Sequence, residues 1–591
     1  MNPAGKQMRM VDRRSFVKAI SIAPLILGAP PSLQAKSDAA ASTREHSLQL
    51  DERFNLTLAR VLEGESPRYS DDFLLADVKP TAERRFTEYS GDLSGRYIGA
   101  LATSARVYGT EVPRLDALVD KVIALQKPEG YFGSVFHFQS PTDADMALLW
   151  GNGRLLVGLL EYNLHHPSKP VLDASRRIGD FLVRVSPLML SKEIRDAFGA
   201  QHFASSYICW TQQTEGLALL YGVTRDERYR QLAESIAAVI ERRPGDHVHG
   251  YLTSLRGVME LHALTHDPKL LKQCEAAWDE ITASRDLLLT GGVPEGWSPN
   301  NHRTEGCGEA DWVRLNLQLW NATSNERYLA SAERAIFNEL AFNQFATGDF
   351  GHRVYTETGL PAAGAARAWW CCTLHGLRCF PDIRQSAFRT VEAGLAYEIP
   401  VDGKFESPAL SAIGESNLSH SSTARIRITQ ATKEKVRLAI RKPTWADSVQ
   451  LGLTGPGSMS SLQPGYVAAE KVWAAGELIE VKYSIKLRSE NSGNDRQSFW
   501  YGPWLLGASA ADNAAYFNEL TVENRLLAAP ASIRNSGAER VFSVPIAASE
   551  TAYSQAEYPD QPGHVSLRAI AEQTGQPTTS WELRFLMHRN S

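Results

Sequence analysis

The chain has 591 residues, 43% apolar and 22% charged, with a formal net charge of −5. That length exceeds one ordinary core and predicts roughly two to four domains. No basic run or patch stands out, which argues against a nucleic-acid binder, and no stretch beyond the N-terminus is long and apolar enough for a membrane helix.

At the N-terminus, Asp12-Arg13-Arg14-Ser15-Phe16-Val17-Lys18 precedes a short apolar stretch, Ala19 to Ala29, and Ala35 in SLQAK offers a cleavage point. Paired arginines, then Phe and Lys, then a mildly apolar segment are similar to a twin-arginine export signal over residues 1–35. An uncleaved tail or a general secretory signal is the alternative. The expectation is a periplasmic or secreted protein without a membrane anchor after cleavage. Residues 36–75 read as a polar lead-in.

Residues 76–385 read as helix after helix. LALLYGVTRDERYRQLAESI (217–236), VMELHALTHDPKLLKQCEAA (258–277) and LNLQLWNATSNERYLASAER (315–334) repeat one outline, and 159–178 is a degraded fourth copy. In each full copy an apolar helix is followed by Thr (224, 265, 323), then by Asp or Asn (226, 267, 325), which suit a tight turn and a helix N-cap. Repeated helical hairpins either stack as an open solenoid or close as a ring. The connections on one side are short. Those on the other are long, over 130–145, 200–214, 244–251 and 291–311, and they carry the unusual residues. One-sided long loops predict a closed α/α toroid with a pocket at one mouth.

From about residue 386 the period changes to strand alternation, as in ARIRIT (424–429), VRLAI (436–440) and LIEVKYSI (478–485). Residues 386–510 predict a β-sandwich domain, and 511–591 a less clearly patterned β-rich segment. The 13 tryptophans and 19 tyrosines could stack on sugars, but they could equally fill large cores.

Only six cysteines occur, and three of them lie in TEGC (304–307) and WWCC (369–372). Glu305 and Cys307, two apart, point the same way in an extended segment. With Cys371 and Cys372 they could form a four-ligand zinc shell. A vicinal disulfide between Cys371 and Cys372, or a pair of buried core thiols, are the other readings. Export of an already folded chain would seal such thiols before they met an oxidising compartment.

TGGVPEGW (290–297), TEGC, WWCC, the helix-end repeats and GPWLLG (502–507) together resemble glycoside hydrolase family 127, the β-L-arabinofuranosidases and their relatives. The likeness covers roughly residues 80–510. It implies a multidomain α+β chain, an (α/α)6 barrel followed by one or two β-sandwich domains. It implies Zn2+ held by Glu305, Cys307, Cys371 and Cys372, with Cys371 as nucleophile. Glu295 in PEGW matches the acid/base, although the loop from Glu295 to Glu305 is shorter than in the family type; Glu309 and Glu215 are the fallbacks. His249 in HVHGYLTSLRG matches a pocket position, with His247 beside it, and His375 follows the cysteine pair. Two sugar-reading segments depart from the family pattern. MALLWGNG (146–153), with Trp150, stands where a His-Glu-Leu-Tyr-like run is expected, and Thr214-Glu215-Gly216 stands where Gly-His-Ala is expected. Trp150, Glu215, His249 and His375 are the expected substrate-binding residues; His137 and His202 are weaker candidates. The implied activity is a retaining exo-glycosidase acting on an oligosaccharide or glycoconjugate that carries L-arabinofuranose or a related plant-glycan sugar. A lyase on the same toroid, or a glycan-binding protein with a structural zinc, are the alternatives.

Overall fold

The computed structural model describes residues 49–547, 564–572 and 579–587, apart from 82, 200–205, 300, 302, 362–366, 392–393, 454–457, 461–464, 515, 518–524, 527–531 and 537–538. The export signal expected over 1–35, most of the 36–75 lead-in before residue 49, and His202 lie outside the described residues. No helix among the described residues is long and apolar enough to cross a membrane.

Among the described residues, the twelve longer helices of the first compact unit are α1 (Leu50–Glu63), α2 (Asp92–Tyr108), α3 (Leu115–Ile123), α4 (Asp143–His165), α5 (Lys169–Met189), α6 (Gln213–Thr224), α7 (Glu227–Ala237), α8 (Val248–Thr265), α9 (Pro268–Ala283), α10 (Gly306–Thr323), α11 (Glu326–Arg334) and α12 (Trp370–Ser386), with shorter helical turns between them. The even-numbered helices each pack on the next, and α12 returns to α2, which closes an inner ring of six. The odd-numbered helices form the outer layer. The division follows burial. Inner α4 is buried without interruption from Asp145 to Leu160. Outer α5 buries only one stripe, through Val171, Ala174, Ile178, Phe181, Leu182, Val185 and Met189, at helical spacing. The closed (α/α)6 toroid, rather than an open solenoid, is the observed architecture.

The repeated turns share one geometry. Thr224, Thr265 and Thr323 each donate from the hydroxyl to the carbonyl four residues back, at 2.7–2.8 Å. The next residues, Arg225, His266 and Ser324, take the left-handed conformation (φ 58°, 59° and 56°). Asp226, Asp267 and Asn325 then cap the outer helices by accepting from Arg228, Lys269 and Arg327 N–H at 3.0, 2.9 and 3.3 Å. These turns join the C-termini of inner helices to outer ones. The long connections therefore all arrive at inner-helix N-termini.

Helices α2 and α4 approach at backbone contact. A Cβ placed on Gly158 would lie 2.1 Å from the Gly95 carbonyl oxygen, and one on Gly95 would lie 2.4 Å from Leu155 Cα. The same unit includes the strands after Ser484. Asn338 accepts from Leu505 N–H at 2.7 Å and donates to Pro503 O at 2.8 Å, which fixes the GPWLLG segment to the helical layer. Phe342, Leu360, Trp500, Leu505, Ile570, Trp581 and Leu583 form a shared core there. Residues 484–509, grouped with the sandwich by sequence pattern, thus sit with the helical unit, because their ladder partners come from 564–569 and 581–586.

The second compact unit comprises residues 387–442 and 448–483. Two five-stranded sheets form it, one in the order 458–460, 466–472, 435–441, 394–397, 388–391. The other runs 446–453, 478–485, 423–431, 410–417, 403–405. Alternating burial along Thr423–Ala431 and Leu478–Ile485 marks the inward faces of a sandwich.

Substituting Gly158→Ala should cost about 3 kcal/mol in urea unfolding, because the methyl group has only backbone to displace. Gly109→Ala, at a left-handed helix end with nothing within 4 Å of its Cβ position, should cost only about 1 kcal/mol. Equal losses at the two sites would refute the backbone-contact account.

Candidate functional site

A small antiparallel sheet draws two inner-helix N-termini together. Strand β1 (Arg303–Glu305) pairs with β2 (Gly351–Val354), which pairs with β3 (Arg367–Ala368). β1 runs directly into α10, so Glu305 occupies the N-cap position and Cys307 the first turn. β3 leads into α12, whose first turn carries Cys371 and Cys372. Gly306 makes the approach possible, since a Cβ there would sit 3.1 Å from Cys372 Cβ and 3.0 Å from Phe350 Cβ. Helix N-termini carry partial positive charge, which favours thiolates and carboxylates at these positions.

The four side chains converge. Cys307 Sγ lies 3.8 Å from Cys372 Sγ, Cys371 Sγ lies 4.0 Å from Cys372 Sγ, and Glu305 Oε1 lies 3.9 Å from Cys372 Sγ. All four ligand atoms fall within 4.8 Å of one another, an arrangement that could hold one metal ion. All three cysteines are free thiols, so Cys371 and Cys372 form no vicinal disulfide. Glu305, Cys307 and Cys372 are buried, whereas Cys371 is only partly buried. Hydrogen bonds from the Cys307 and Cys372 thiols, reinforced by Arg96, hold Cys371 well below the ordinary thiol range. Burial pushes Cys307 and Cys372 upward. Cys209, Cys274 and Cys379 are buried core thiols outside this cluster.

His247 Nε2 meets Glu305 Oε2 at 2.7 Å. Burial alone would lower His247, but the Glu305 carboxylate outweighs it and lifts it to about 9. Glu295 is held through its backbone: its carbonyl accepts from Val248 N–H and its N–H donates to Arg303 O, both at 2.8 Å. Its carboxylate pairs with Arg303 Nε and lies 3.5 Å from His352 Nε2. Burial opposes ionisation there, yet His352 and Arg303 prevail and draw Glu295 down to about 2. At rest Glu295 is a carboxylate.

The fallback acids are committed elsewhere. Glu309 is buried, accepts from Val293 N–H at 3.1 Å, and supports the loop that carries Glu295. Burial and the neighbouring Glu339 push it well above the usual carboxyl range. Glu215 is walled in by Arg154 and Arg256, both at 3.1 Å, and Arg378 at 3.3 Å.

The four residues expected to read the sugar are all buried and engaged within the protein. Trp150 Nε1 donates to Asp92 Oδ1 at 3.0 Å. His249 Nδ1 lies 2.6 Å from Asp311 Oδ2 and its Nε2 lies 2.9 Å from Arg96 Nη2. His375 Nε2 lies 2.8 Å from Asp311 Oδ1. With Glu215 already enclosed by arginines, these residues brace the site from behind. His137 pairs with Asp145 at the start of α4, at 3.0 Å. The group His249, Asp311 and His375 also has metal-like spacing. However, both His249 nitrogens are taken, and Asp311 accepts from Arg256 at 3.0 Å and Thr253 at 2.7 Å, so it reads as a hydrogen-bonded network.

Sequence reading missed Arg96, Asp311, Arg303 and His352. Asp311 carried a signal, because it lies one helical turn beyond Cys307 on the same face of α10. Arg96, a charge inside the otherwise apolar-and-small run LSGRYIGALA, carried another. His352 reaches Glu295 only through the strand pairing of β1 with β2, and Arg303 through the backbone bond that it accepts from Glu295 N–H.

Comparison with known proteins supplies the context. Residues 77–385, more than half the chain, match the family model described as the β-L-arabinofuranosidase GH127 catalytic domain. Residues 399–485 match the GH127 middle domain. A solved GH127 β-arabinofuranosidase superposes with a TM-score of 0.68 at 17% identity, covering 91% of this chain and 94% of its own. A GH127 β-L-arabinofuranosidase from Geobacillus stearothermophilus T6 gives 0.69 at 15%, covering 93% and 100%. No curated protein sequence matches.

Burial opposes ionisation of Asp311, but His375, Arg256 and His249 hold it well below the usual range. Its ionised form therefore stabilises the fold fully above the unfolded carboxyl value of about 3.9, and this contribution begins to fade below that value and is lost as pH falls through the lower folded one. Asp311→Asn should cost about 3–5 kcal/mol at pH 7, by leaving buried arginines without their counter-charge. In urea titrations the gap from wild type should narrow below about pH 4. A gap of the same size at both pH values would show that Asp311 is not the stabilising charge.

Proposed function

The chain belongs to glycoside hydrolase family 127, and from that membership and the thiol cluster we propose that it is a retaining exo-glycosidase with a zinc-held cysteine nucleophile. Its substrate on this reading is an L-arabinofuranoside or a related sugar at the end of a plant-type oligosaccharide or glycoconjugate. The observation that carries the reading is the burial pattern: of the four clustered residues, only Cys371 is not fully buried.

Zinc suits the donor set. A tetrahedron with zinc–sulfur bonds of about 2.3 Å has sulfur–sulfur edges of about 3.8 Å, against the 3.8 and 4.0 Å measured between the thiols. Glu305, Cys307, Cys371 and Cys372 would hold it. When bound, the ion would keep these thiols deprotonated at neutral pH.

The proposed chemistry uses the chain's own residues. Cys371 Sγ forms a bond to the anomeric carbon as the exocyclic carbon–oxygen bond breaks, and Glu295 gives a proton to the departing oxygen. Water then attacks the same carbon from the opposite side of the thioether. Glu295 takes its proton and Cys371 leaves as a thiolate, so two inversions give net retention. Glu295 must first gain a proton, and the His352 and Arg303 contacts oppose this. Substrate that draws both groups onto its own oxygens would weaken that opposition and raise Glu295 toward an acid's range. Export of the folded chain to the periplasm belongs to the same proposal, supported by Arg13-Arg14 and the apolar run that follows.

Native protein should contain one zinc per chain by elemental mass spectrometry. Cys371→Ala should lower kcat at least about 10^3-fold on an aryl L-arabinofuranoside. Glu295→Gln should lose about 10²–10⁴-fold on a glycan with a poor leaving group, and much less on a nitrophenyl glycoside. A Cys371→Ala enzyme with wild-type turnover would overturn the nucleophile.

A further inference from the structure

Arg96 lies buried on the first turns of α2 and is held on three sides. Its Nε donates to Asp92 Oδ1 at 2.8 Å, its Nη2 meets His249 Nε2 at 2.9 Å, and its Nη1 donates to Cys307 Sγ at 3.5 Å. Asp311 determines the polarity of the middle contact. Its Oδ2 takes the His249 Nδ1 proton, so His249 presents a bare lone pair at Nε2, and only a donor fits opposite it. Thr253 and Arg256 hold Asp311 in turn. The guanidinium is thus oriented by a relay from Asp311 through His249, with one N–H left aimed at a sulfur.

The electrostatics give that orientation a purpose. Three thiolates and one carboxylate around a divalent cation leave a net charge of −2. Arg96 brings one buried positive charge against this excess. Among the described residues, Cys307 is the one sulfur of the three to which an N–H group donates. A thiolate that accepts an N–H bond gives up electron density and becomes a poorer nucleophile and a more persistent ligand.

Resting on the metal reading above, we propose that Arg96 is the positioning residue of the thiolate shell: it offsets the shell's negative charge and marks Cys307 as the permanent ligand, leaving Cys371 as the sulfur free to react. Lysine could return the charge but not the three-way fork.

The test uses full-length protein loaded with zinc or, separately, with cobalt(II). Arg96→Met should weaken zinc retention against a competing chelator about 10–100-fold and move the sulfur-to-cobalt charge-transfer band to lower energy. Arg96→Lys should fall between Met and wild type. Iodoacetamide, mapped by peptide mass spectrometry, should label Cys371 alone in wild type and spread to Cys307 in Arg96→Met. His249→Gln keeps the arginine but loosens its anchor, and should shift the same readouts in the same direction by less. Wild-type chelator competition, band position and labelling in Arg96→Met would overturn the role of Arg96. Wild-type protein that binds no metal would instead overturn the metal reading on which it rests.

Discussion

Two helix N-termini meet across one missing side chain, and the rest of the site depends on that meeting. Helices α10 and α12 can bring Cys307 and Cys372 within 3.8 Å only because Gly306 leaves room for Cys372 and Phe350. The strands β1, β2 and β3 supply the force that keeps them there, since each ladder bond fixes where the next helix begins. Ring closure supplies the frame, with α12 packed on both α10 and α2. From this follow the clustering of thiols, their placement at positive helix ends, and the partial exposure of Cys371 alone among the four ligands.

Behind the thiols, the ring interior is ionic rather than oily. Arg154, Arg256, Arg314 and Arg378 are buried there with Glu215 and Asp311, in pairs of 3.0–3.6 Å. Buried pairs of this kind contribute little net stability over apolar packing, but they are costly to break one partner at a time. Their value here is orientation. Each carboxylate oxygen has its donor, so each histidine and arginine nearer the mouth has one permitted direction. Glu215 belongs to this scaffold, and Trp150 is tied to Asp92 beside Arg96.

Much of this was legible in the sequence, for identifiable reasons. The Thr-x-Asp/Asn turns encode local hydrogen bonds, so the helical hairpins could be read directly, and the one-sided long loops pointed to a ring. Glu-x-Cys and Cys-Cys announced themselves as rare residues in tight spacing. What stayed hidden depends on tertiary pairing. His352 faces Glu295 only because β2 pairs with β1. Arg96 reaches Cys307 past α12, from a helix far away in sequence. The strands after Ser484 alternate like those of the sandwich before them, but their partners lie near the C-terminus, and alternation does not say which sheet a strand will join.

The left-handed turns at Arg225, His266 and Ser324 carry a consequence for how such a molecule can change over time. A hairpin that tight tolerates no inserted residue without losing its threonine and cap bonds, so this rim of the ring is closed to length variation at those three turns. The opposite rim, where long connections descend onto the inner helices, has no such restriction. Diversification is therefore polarised: new length can accumulate on the rim where the inner helices begin, the rim that carries Cys307 and Cys371, while the barrel beneath keeps its register.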